Sequence, residues 1–438
     1  MKSSGRKMCT KRNVGLSQSM QRPSAPTQNN PYNLPAKYKI LEIMGEGGFG
    51  KVLRCLDTDT NNVVAVKIPR FKQCCRKEVA ILQMLMTKKL DQHSIVKFHK
   101  CFSMRHGEAL VFESLEMSLE DHILTNGLHT KKLPKIRTII KQVATALNAL
   151  KSIGVIHTDI KPDNIMLVDL KRPLRVKLID FGLAIHKSMA EQGMDLQTLS
   201  FRAPEIILGL PFSEAIDMWS VGCLLFFMLF SDLLFDDTSE YDTLRFMIKL
   251  LGQPPDKVLN EGQTTHVFFK KTKSNSWKIK TPKEYWKRNI PKVLRRPMFS
   301  SIDDLKQVRM NRADAAEHEQ CIELMKAMLQ MDQNKRITPD EVLHHPFITQ
   351  SHRCSQKKKT AIKVTRNVFP LGVIRVRPAA TKNMLQLEKE DTSISKDTET
   401  PSSPDDDSKE KEKKKNCFQR FKSWFKKKFF CNRVGVIG

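Results

Sequence analysis

The sequence predicts an α+β fold in two lobes, a small β-rich one followed by a larger helical one. Three features carry this reading. Val63 to Ile68 reads VVAVKI, an alternating strand, and it follows a glycine cluster flanked by Ile40, Ile43 and Val52, the pattern of strand, turn and strand. Farther along, Ile136, Ile140, Val143, Leu147 and Leu150 share one face of a helix that Gly154 can end. Met218 to Phe235 is the most apolar stretch, but Ser220, Gly222, Ser231 and Asp232 interrupt it. A membrane span needs about 20 apolar residues, so this stretch reads as a helix buried in a large core.

Composition divides the 438 residues into a folded unit and two flanks. Residues 1–37 are rich in Ser, Gln, Asn, Pro and Lys, and 351–438 carry charge blocks with a Ser/Thr/Pro/Asp run around Thr400 to Ser408. Neither buries enough apolar area to offset chain entropy. The expected organisation is a disordered basic segment at 1–37, one domain at 38–348, a disordered linker at 349–410 and a basic aromatic tail at 411–438. Ten cysteines are scattered without a CxxC pair, and Met1 to Met20 is polar and basic, without the apolar core of a secretory leader. A reducing compartment, nucleus or cytoplasm, is expected. The formal charge of +28 is spread over residues 270–296 and the tail, so it favours anionic partners without describing the core's chemistry. Direct nucleic-acid binding by the folded part is not expected, because no nucleic-acid motif supports it.

Leu41 to Val52 reads LEIMGEGGFGKV. Glycines let backbone amides approach phosphate oxygens without an intervening side chain. A dinucleotide-binding turn would need a helix after the glycines and an acidic residue about 20 positions later. Here β-branched residues follow and the charged residue is Lys67, which can bridge phosphates. Glu78 lies in RKEVAILQML, where Val79, Leu82 and Met86 have helical spacing, and can orient Lys67 by an ion pair.

The decisive segment is VIHTDIKPDNIMLV, with His157 to Asn164 in a loop between apolar runs. Phosphoryl transfer asks the protein mainly for positioning and charge neutralisation. Asp159 can accept a hydroxyl proton, Lys161 can neutralise the transferred group and Asn164 can ligate Mg2+. His157 reads as scaffold and Asp163 as a turn residue. Asp180 in VKLIDFG sits at a strand end beside Gly182 and offers a hard oxygen ligand for Mg2+.

The ordered set GxGxxGxV, VAVK, helix glutamate, HxDxKxxN, DFG and Ala203-Pro204-Glu205 is highly specific. Residues 38–348 resemble a eukaryotic protein kinase domain. That resemblance implies a two-lobed kinase fold, ATP and Mg2+ as cofactors, and protein substrates. It also implies nucleotide contacts from Met44, Gly45, Glu46, Gly47, Gly48, Phe49, Gly50, Lys51, Val52, Ala65, Lys67, Glu113, Leu115 and Met166, with Phe112 beside the adenine. Glu205 resembles the residue that pairs with a late arginine, here Arg336, and Asp217 resembles the family's buried anchor.

RAPEIILGLPFSEAIDMWSVGC, HTDIKPDNIMLVD and SNSWKIKTP are similar to the homeodomain-interacting protein kinases, relatives of the dual-specificity tyrosine-regulated kinases. This second resemblance implies Ser/Thr phosphorylation, often before proline, with tyrosine autophosphorylation and transcription regulators among the substrates. It places an insert at Phe269 to Arg296. Three departures stand out. Thr158 occupies the arginine position of the common HRD triplet, as in that group. Asp195 aligns with the group's activation-loop tyrosine, and its permanent charge has Arg202 as an expected partner. Thr198, Leu199, Ser200 and Phe201 replace the usual residues before Arg202, which alters the peptide-binding ledge and leaves Ser200 as a loop hydroxyl.

Two other roles compete with catalysis. A pseudokinase scaffold recruited through its tail predicts loss of Lys67, Asp159, Asn164 or Asp180, and all four are present. The tail itself, NCFQRFKSWFKKKFFCNR, places Phe418, Phe421, Phe425 and Phe429 on one side of a helix widened by Trp424, with Lys422 and Lys426 projecting away. Such a helix suits an anionic membrane surface, with Cys417 and Cys431 as palmitoyl acceptors; a calmodulin-binding helix would look much the same, and a merely solvated charged tail is the default alternative. KEKKK can serve as a nuclear import signal. Nucleus, cytoplasm and peripheral membrane association all remain expected addresses.

Overall fold

The computed structural model describes residues 32–350 apart from 48–49, 71–74, 105–106, 127–131, 172–173, 236–238, 288–298 and 308–314. The tail at 411–438 with Cys417 and Cys431, the linker from 351 to 410, residues 1–31, Gly48 and Phe49 all lie outside the described residues.

Strands β1 (Tyr38–Gly47), β2 (Gly50–Asp57) and β3 (Asn62–Pro69) are followed by helix α1 (Cys75–Thr87), then by β4 (Phe98–Met104) and β5 (Gly107–Glu113). The five strands form one antiparallel sheet in the order β1-β2-β3-β5-β4. The alternation in β3 sorts its side chains. Val64 and Val66 enter a small core with Tyr38, Leu53, Cys55, Ala109 and Val111, while Ala65 and Lys67 face the cleft. Leu34, four residues before the expected start of the domain, also packs into this core, 6% exposed. Composition could not show this, because a single leucine amid Pro and Asn gives no periodic signal.

The second lobe starts at β6 (Met117–Ser118) and α2 (Leu119–Asn126), then α3 (Leu133–Ser152). Four short strands follow: β7 (Val155–Ile156), β8 (Ile165–Leu167), β9 (Val176–Leu178) and β10 (Ile185–His186). Helices α4 (Pro204–Ile207), α5 (Ala215–Phe230) and α6 (Glu240–Leu251) come next. The apolar face read for α3 is buried throughout: Ile136, Ile140, Val143, Leu147 and Leu150. Every residue of α5 from Ile216 to Leu229 is buried, as expected of a core helix. No helix among the described residues is long and apolar enough to cross a membrane. Gly222 on α5 permits a close approach, since a Cβ there would lie 2.8 Å from a Leu329 methyl.

The basic insert is described through residue 287. A hairpin pairs Phe269–Lys271 with Trp277–Ile279, and Tyr285 stacks on Tyr241 with ring centroids 4.1 Å apart. The Tyr241 hydroxyl donates to the Lys280 carbonyl at 2.6 Å, tying the insert to α6.

One buried ion pair joins distant segments of the helical lobe. Arg336 grips Glu205 at both carboxylate oxygens, 2.6 and 2.9 Å, with the two side chains 0% and 2% exposed. The same guanidinium donates to the carbonyls of Gln330 and Ala215 and lies over the Trp219 ring. Removing one partner of such a pair strands a buried charge, at about 3–5 kcal/mol. Glu205→Ala is therefore expected to lower unfolding stability by about that amount in urea denaturation. A loss near zero would show that the pair does not hold this lobe together.

Candidate active site

The cleft between the lobes is lined by Met44, Val52, Ala65, Lys67, Glu78, Val96, Phe112, Glu113, Leu115, Met166, Ile179 and Asp180. These include half of the residues singled out for nucleotide contact, Met44, Val52, Ala65, Lys67, Glu113, Leu115 and Met166, together with Phe112. Gly45, Glu46, Gly47, Gly50 and Lys51 form the β1–β2 hairpin above it, with Glu46 and Lys51 3.3 Å apart. Gly50 has φ +137° and a Cβ there would meet the Ile68 carbonyl at 2.0 Å, so this turn position requires glycine. Glu113 is fixed at the back of the cleft by the Lys97 backbone amide at 2.6 Å and by Lys177 at 2.5 Å. Val96 and Ile179 were not anticipated. Ile179 was within reach as the residue before Asp180, whereas Val96 sits in a loop without periodic signal.

Lys67 lies at the cleft's charged end. Its Nζ is 2.7 Å from Glu78 Oε1 on α1 and 2.8 Å from Asp180 Oδ1 in the second lobe. Burial alone would depress the ammonium, but Asp180 and then Glu78 more than reverse that and hold its pKa above the ordinary lysine value. For Asp180, burial pushes upward, yet Lys67 keeps the carboxyl below its usual range. For Glu78 burial outweighs Lys67 and the carboxyl is raised. The acid on the metal side is thus held ionised while the helix acid is the more easily protonated.

The catalytic loop converges on Asp159, which is 4% exposed. Lys161 Nζ donates to its Oδ2 at 2.8 Å and the Asn164 amide to the same oxygen at 3.0 Å. Its Oδ1 accepts from the Thr198 hydroxyl at 2.8 Å, and Lys161 also reaches Thr198, at 3.1 Å. Thr198 is a contact that the sequence reading missed, because it lies 39 residues from Asp159. Asn164 spends its amide N–H groups on Asp159, leaving its side-chain oxygen free to accept. Its backbone carbonyl takes the Ile179 N–H at 3.0 Å, bringing it beside Asp180.

The scaffold around these residues is buried and specific. His157 acts as the expected scaffold: Nε2 donates to the Ile179 carbonyl, and Nδ1 accepts from the Asp159 N–H. Asp217 at the start of α5 accepts the backbone N–H groups of His157 and Thr158 at 2.8 and 2.9 Å. Thr158 has φ +67° and its hydroxyl donates to the Leu183 carbonyl, so the residue standing in the arginine position is structural. Asp163 belongs to the 3-10 turn Pro162–Asn164, as expected, and also faces Glu120 of α2, whose carboxyl is pushed up to about 8 by burial and by Asp163.

The activation segment places Asp195 Oδ1 2.8 Å from Arg202 Nη2, the expected partner. Asp195 is 82% exposed, however, and an exposed pair contributes only about 0–1 kcal/mol. Arg202 has stronger anchors: Glu240 at 2.6 Å, and the Gln197 carbonyl, to which Nε and Nη2 donate at 3.3 and 2.9 Å. Ser200 is 2% exposed, so it is not the accessible loop hydroxyl that its sequence suggested.

A lysine tied to a helix glutamate and to the DFG aspartate is the arrangement that the motif order implied. The family model for the protein kinase domain matches residues 38–348. The chain belongs to the protein kinase family. It is 41% identical over 344 residues to homeodomain-interacting protein kinase 2 of Mesocricetus auratus, covering 74% of this chain and 30% of that protein. It is 39% identical over 342 residues to homeodomain-interacting protein kinase 1 of Caenorhabditis elegans, covering 72% and 40%. The human homeodomain-interacting protein kinase 4 is 33% identical over 349 residues, covering 74% and 57%. The chain therefore spans about a third of the length of the first of these relatives.

Among the described residues no group of three or more His, Cys, Asp and Glu side chains could hold an ion unaided. Mg2+ asks for less, since it binds one or two protein oxygens and completes its shell with phosphates and water. The Asp180 carboxylate and the free Asn164 side-chain oxygen fit that requirement.

This geometry assigns distinct roles to Asp159 and Thr198. Asp159→Asn is expected to lower kcat by about 10²–10⁴ without changing the melting temperature. Thr198→Ala should also lower kcat, by less, because it loosens one oxygen of Asp159. Steady-state kinetics with thermal melts checks both, and near wild-type turnover in Asp159→Asn would contradict the assignment.

Proposed function

We propose that the chain is an ATP-dependent serine/threonine protein kinase that prefers acceptors followed by proline. Lys67 holds nucleotide phosphates from the sheet side, while Asp180 and Asn164 hold Mg2+, which when bound neutralises charge on the transferring phosphoryl group. Asp159, oriented by Thr198, Lys161 and Asn164, accepts the proton of the attacking hydroxyl. Lys161, already beside Asp159, offsets charge on the phosphoryl group as it moves. An assembled set of this kind has no use in a pseudokinase scaffold, which makes catalysis the better reading.

The observation behind the proline preference is Gln197. It has φ +68°, uncommon for a residue with a side chain, and its carbonyl is taken by Arg202. Its side chain is pinned as well: the amide donates to the Ile216 carbonyl and Ser220 hydroxyl, and its oxygen accepts the Ala203 N–H. The strained backbone is thus over-determined by five hydrogen bonds. Gln197 immediately precedes Thr198, which bonds the Asp159 carboxylate, and that adjacency supports a place for its carbonyl beside the residue after the acceptor. With that carbonyl occupied, an N–H on the following residue would lose its partner, at about 1–3 kcal/mol. Proline has no N–H to lose. The altered ledge at Leu199 to Phe201 leaves this device intact.

Activation-loop tyrosine phosphorylation has no acceptor here, since Phe181 to Glu205 contains no tyrosine. The relatives' name, homeodomain-interacting, makes transcription regulators the protein substrates to try first.

Paired peptides differing only in Pro or Ala after the serine test the reading. The purified chain is expected to use the Ser-Pro peptide with a kcat/KM about tenfold or more higher, corresponding to about 1.4 kcal/mol or more. Arg202→Ala should collapse that ratio, which does not depend on the folded fraction. Equal use of both peptides by the wild type would contradict the proposal.

A further inference from the structure

Kinase activation segments are commonly ordered by a phosphate ester that pairs with arginine. This chain offers little there to modify. Between Phe181 and Glu205 the hydroxyls are those of Ser188, Thr198 and Ser200. Thr198 is bonded to Asp159 and Lys161, and Ser200 is 2% exposed, which leaves Ser188 at the surface beside His186. The cations that an ester would seek are replaced or engaged. Thr158 stands in the arginine position with its hydroxyl on the Leu183 carbonyl, and Arg202 already holds Glu240 and the Gln197 carbonyl.

The segment is nevertheless fastened along its course. Its start is fixed where β10 pairs with β7 and the Lys187 N–H donates to the Gly154 carbonyl at 2.7 Å. Its end is fixed by the bonds of Gln197 described above. Between them a turn closes with the Met194 N–H on the Glu191 carbonyl at 3.3 Å. From this turn Gln192 reaches across to the helical lobe. Its Nε2 donates to the Gly209 carbonyl at 2.7 Å and to the Glu261 carbonyl at 2.9 Å.

Gly209 follows α4, and Glu261 is the last residue of helix α7 (Asp256–Glu261), where carbonyls run out of intrahelical partners. Gln263 braces the same place, because its N–H shares the Gly209 oxygen at 3.1 Å. Gly193 has φ +87°, a backbone that favours glycine, and it packs on the Gln263 side chain. A Cβ at Gly193 would lie 2.5 Å from Gln263 Oε1. The cradle around Gln192 is thus built of acceptor oxygens. It suits an amide N–H and would repel a phosphate.

We propose that Gln192 is a positioning residue that takes the place of an activating phosphate. It holds the unmodified segment in the course that brings Thr198 to Asp159 and presents Gln197 to the peptide. The inference rests on the catalytic reading above. Gln192 acts through the segment and touches neither nucleotide nor substrate.

The full chain, made with a co-expressed phosphatase and shown by intact mass to carry no phosphate, provides the test. Wild type is expected to phosphorylate a Ser-Pro peptide without a lag, and Ser188→Ala to match it. Gln192→Glu keeps the size of the side chain but has no N–H to donate. It is expected to raise KM for the peptide about tenfold while KM for ATP stays unchanged. In hydrogen–deuterium exchange its Met194 amide should exchange faster than in the wild type, with α3 unaffected. A lag that ends only as the segment gains phosphate would overturn the inference. So would loss of activity in Ser188→Ala, or wild-type kinetics in Gln192→Glu. Exchange separates this claim from the catalytic reading: a segment protected in the wild type and loosened in Gln192→Glu upholds the clamp even in a chain that transfers no phosphate.

Discussion

A single ammonium group holds the working parts of this molecule in register. Lys67 projects from the central strand of the small sheet and is bonded at once to Glu78 of α1 and to Asp180 of the helical lobe. Burial opposes charge on all three groups; the two carboxylates hold the Lys67 ammonium charged and Lys67 keeps Asp180 below its usual range, while at Glu78 burial prevails and raises the carboxyl. That contact ties α1, the Asp180 carboxylate and the two sides of the cleft to one another. Without the cation, two carboxylates would face each other in a part-buried site.

The second constraint is backbone strain, three instances of which fall at the chemistry. Thr158, Asp180 and Gln197 all have left-handed φ values, +67°, +61° and +68°. Such conformations cost of order 1–3 kcal/mol each and persist only when the surroundings over-determine them. Asp217 clamps the loop at Thr158 through two backbone N–H groups. Lys67 and the Gly182 N–H hold Asp180. Arg202 and the buried contacts of its own side chain hold Gln197. The strain accompanies the placement of the Asp180 carboxylate at the cleft and of the Gln197 carbonyl against Arg202, so geometry that is costly for folding sits where the proposed transfer takes place.

Much of this was legible in the sequence because phosphate chemistry admits few residue types. A lysine on an alternating strand, a helix glutamate and two separated acid loops have no other common reason to occur in that order. The buried faces of α3 and α5 were equally readable, being set by periodicity and by apolar length. What could not be read depended on backbone conformation or on contacts between distant segments. Nothing in the string marks Gln197 as left-handed, or Thr198 as a partner of Asp159. The exposure that limits the Asp195–Arg202 pair, the burial of Ser200 and the packing of Leu34 also arise only once the chain is folded.

The claim that Lys67 is the organising contact is tested most directly by hydrogen–deuterium exchange on the wild type and on Lys67→Met. If the cation tethers α1 and the Asp180 loop, the amides of Val79 to Leu85 and of Ile179 to Gly182 exchange faster in the variant, while those of α3 do not change. Identical protection of α1 in both proteins would contradict the account, because the helix would then be held by its apolar packing alone.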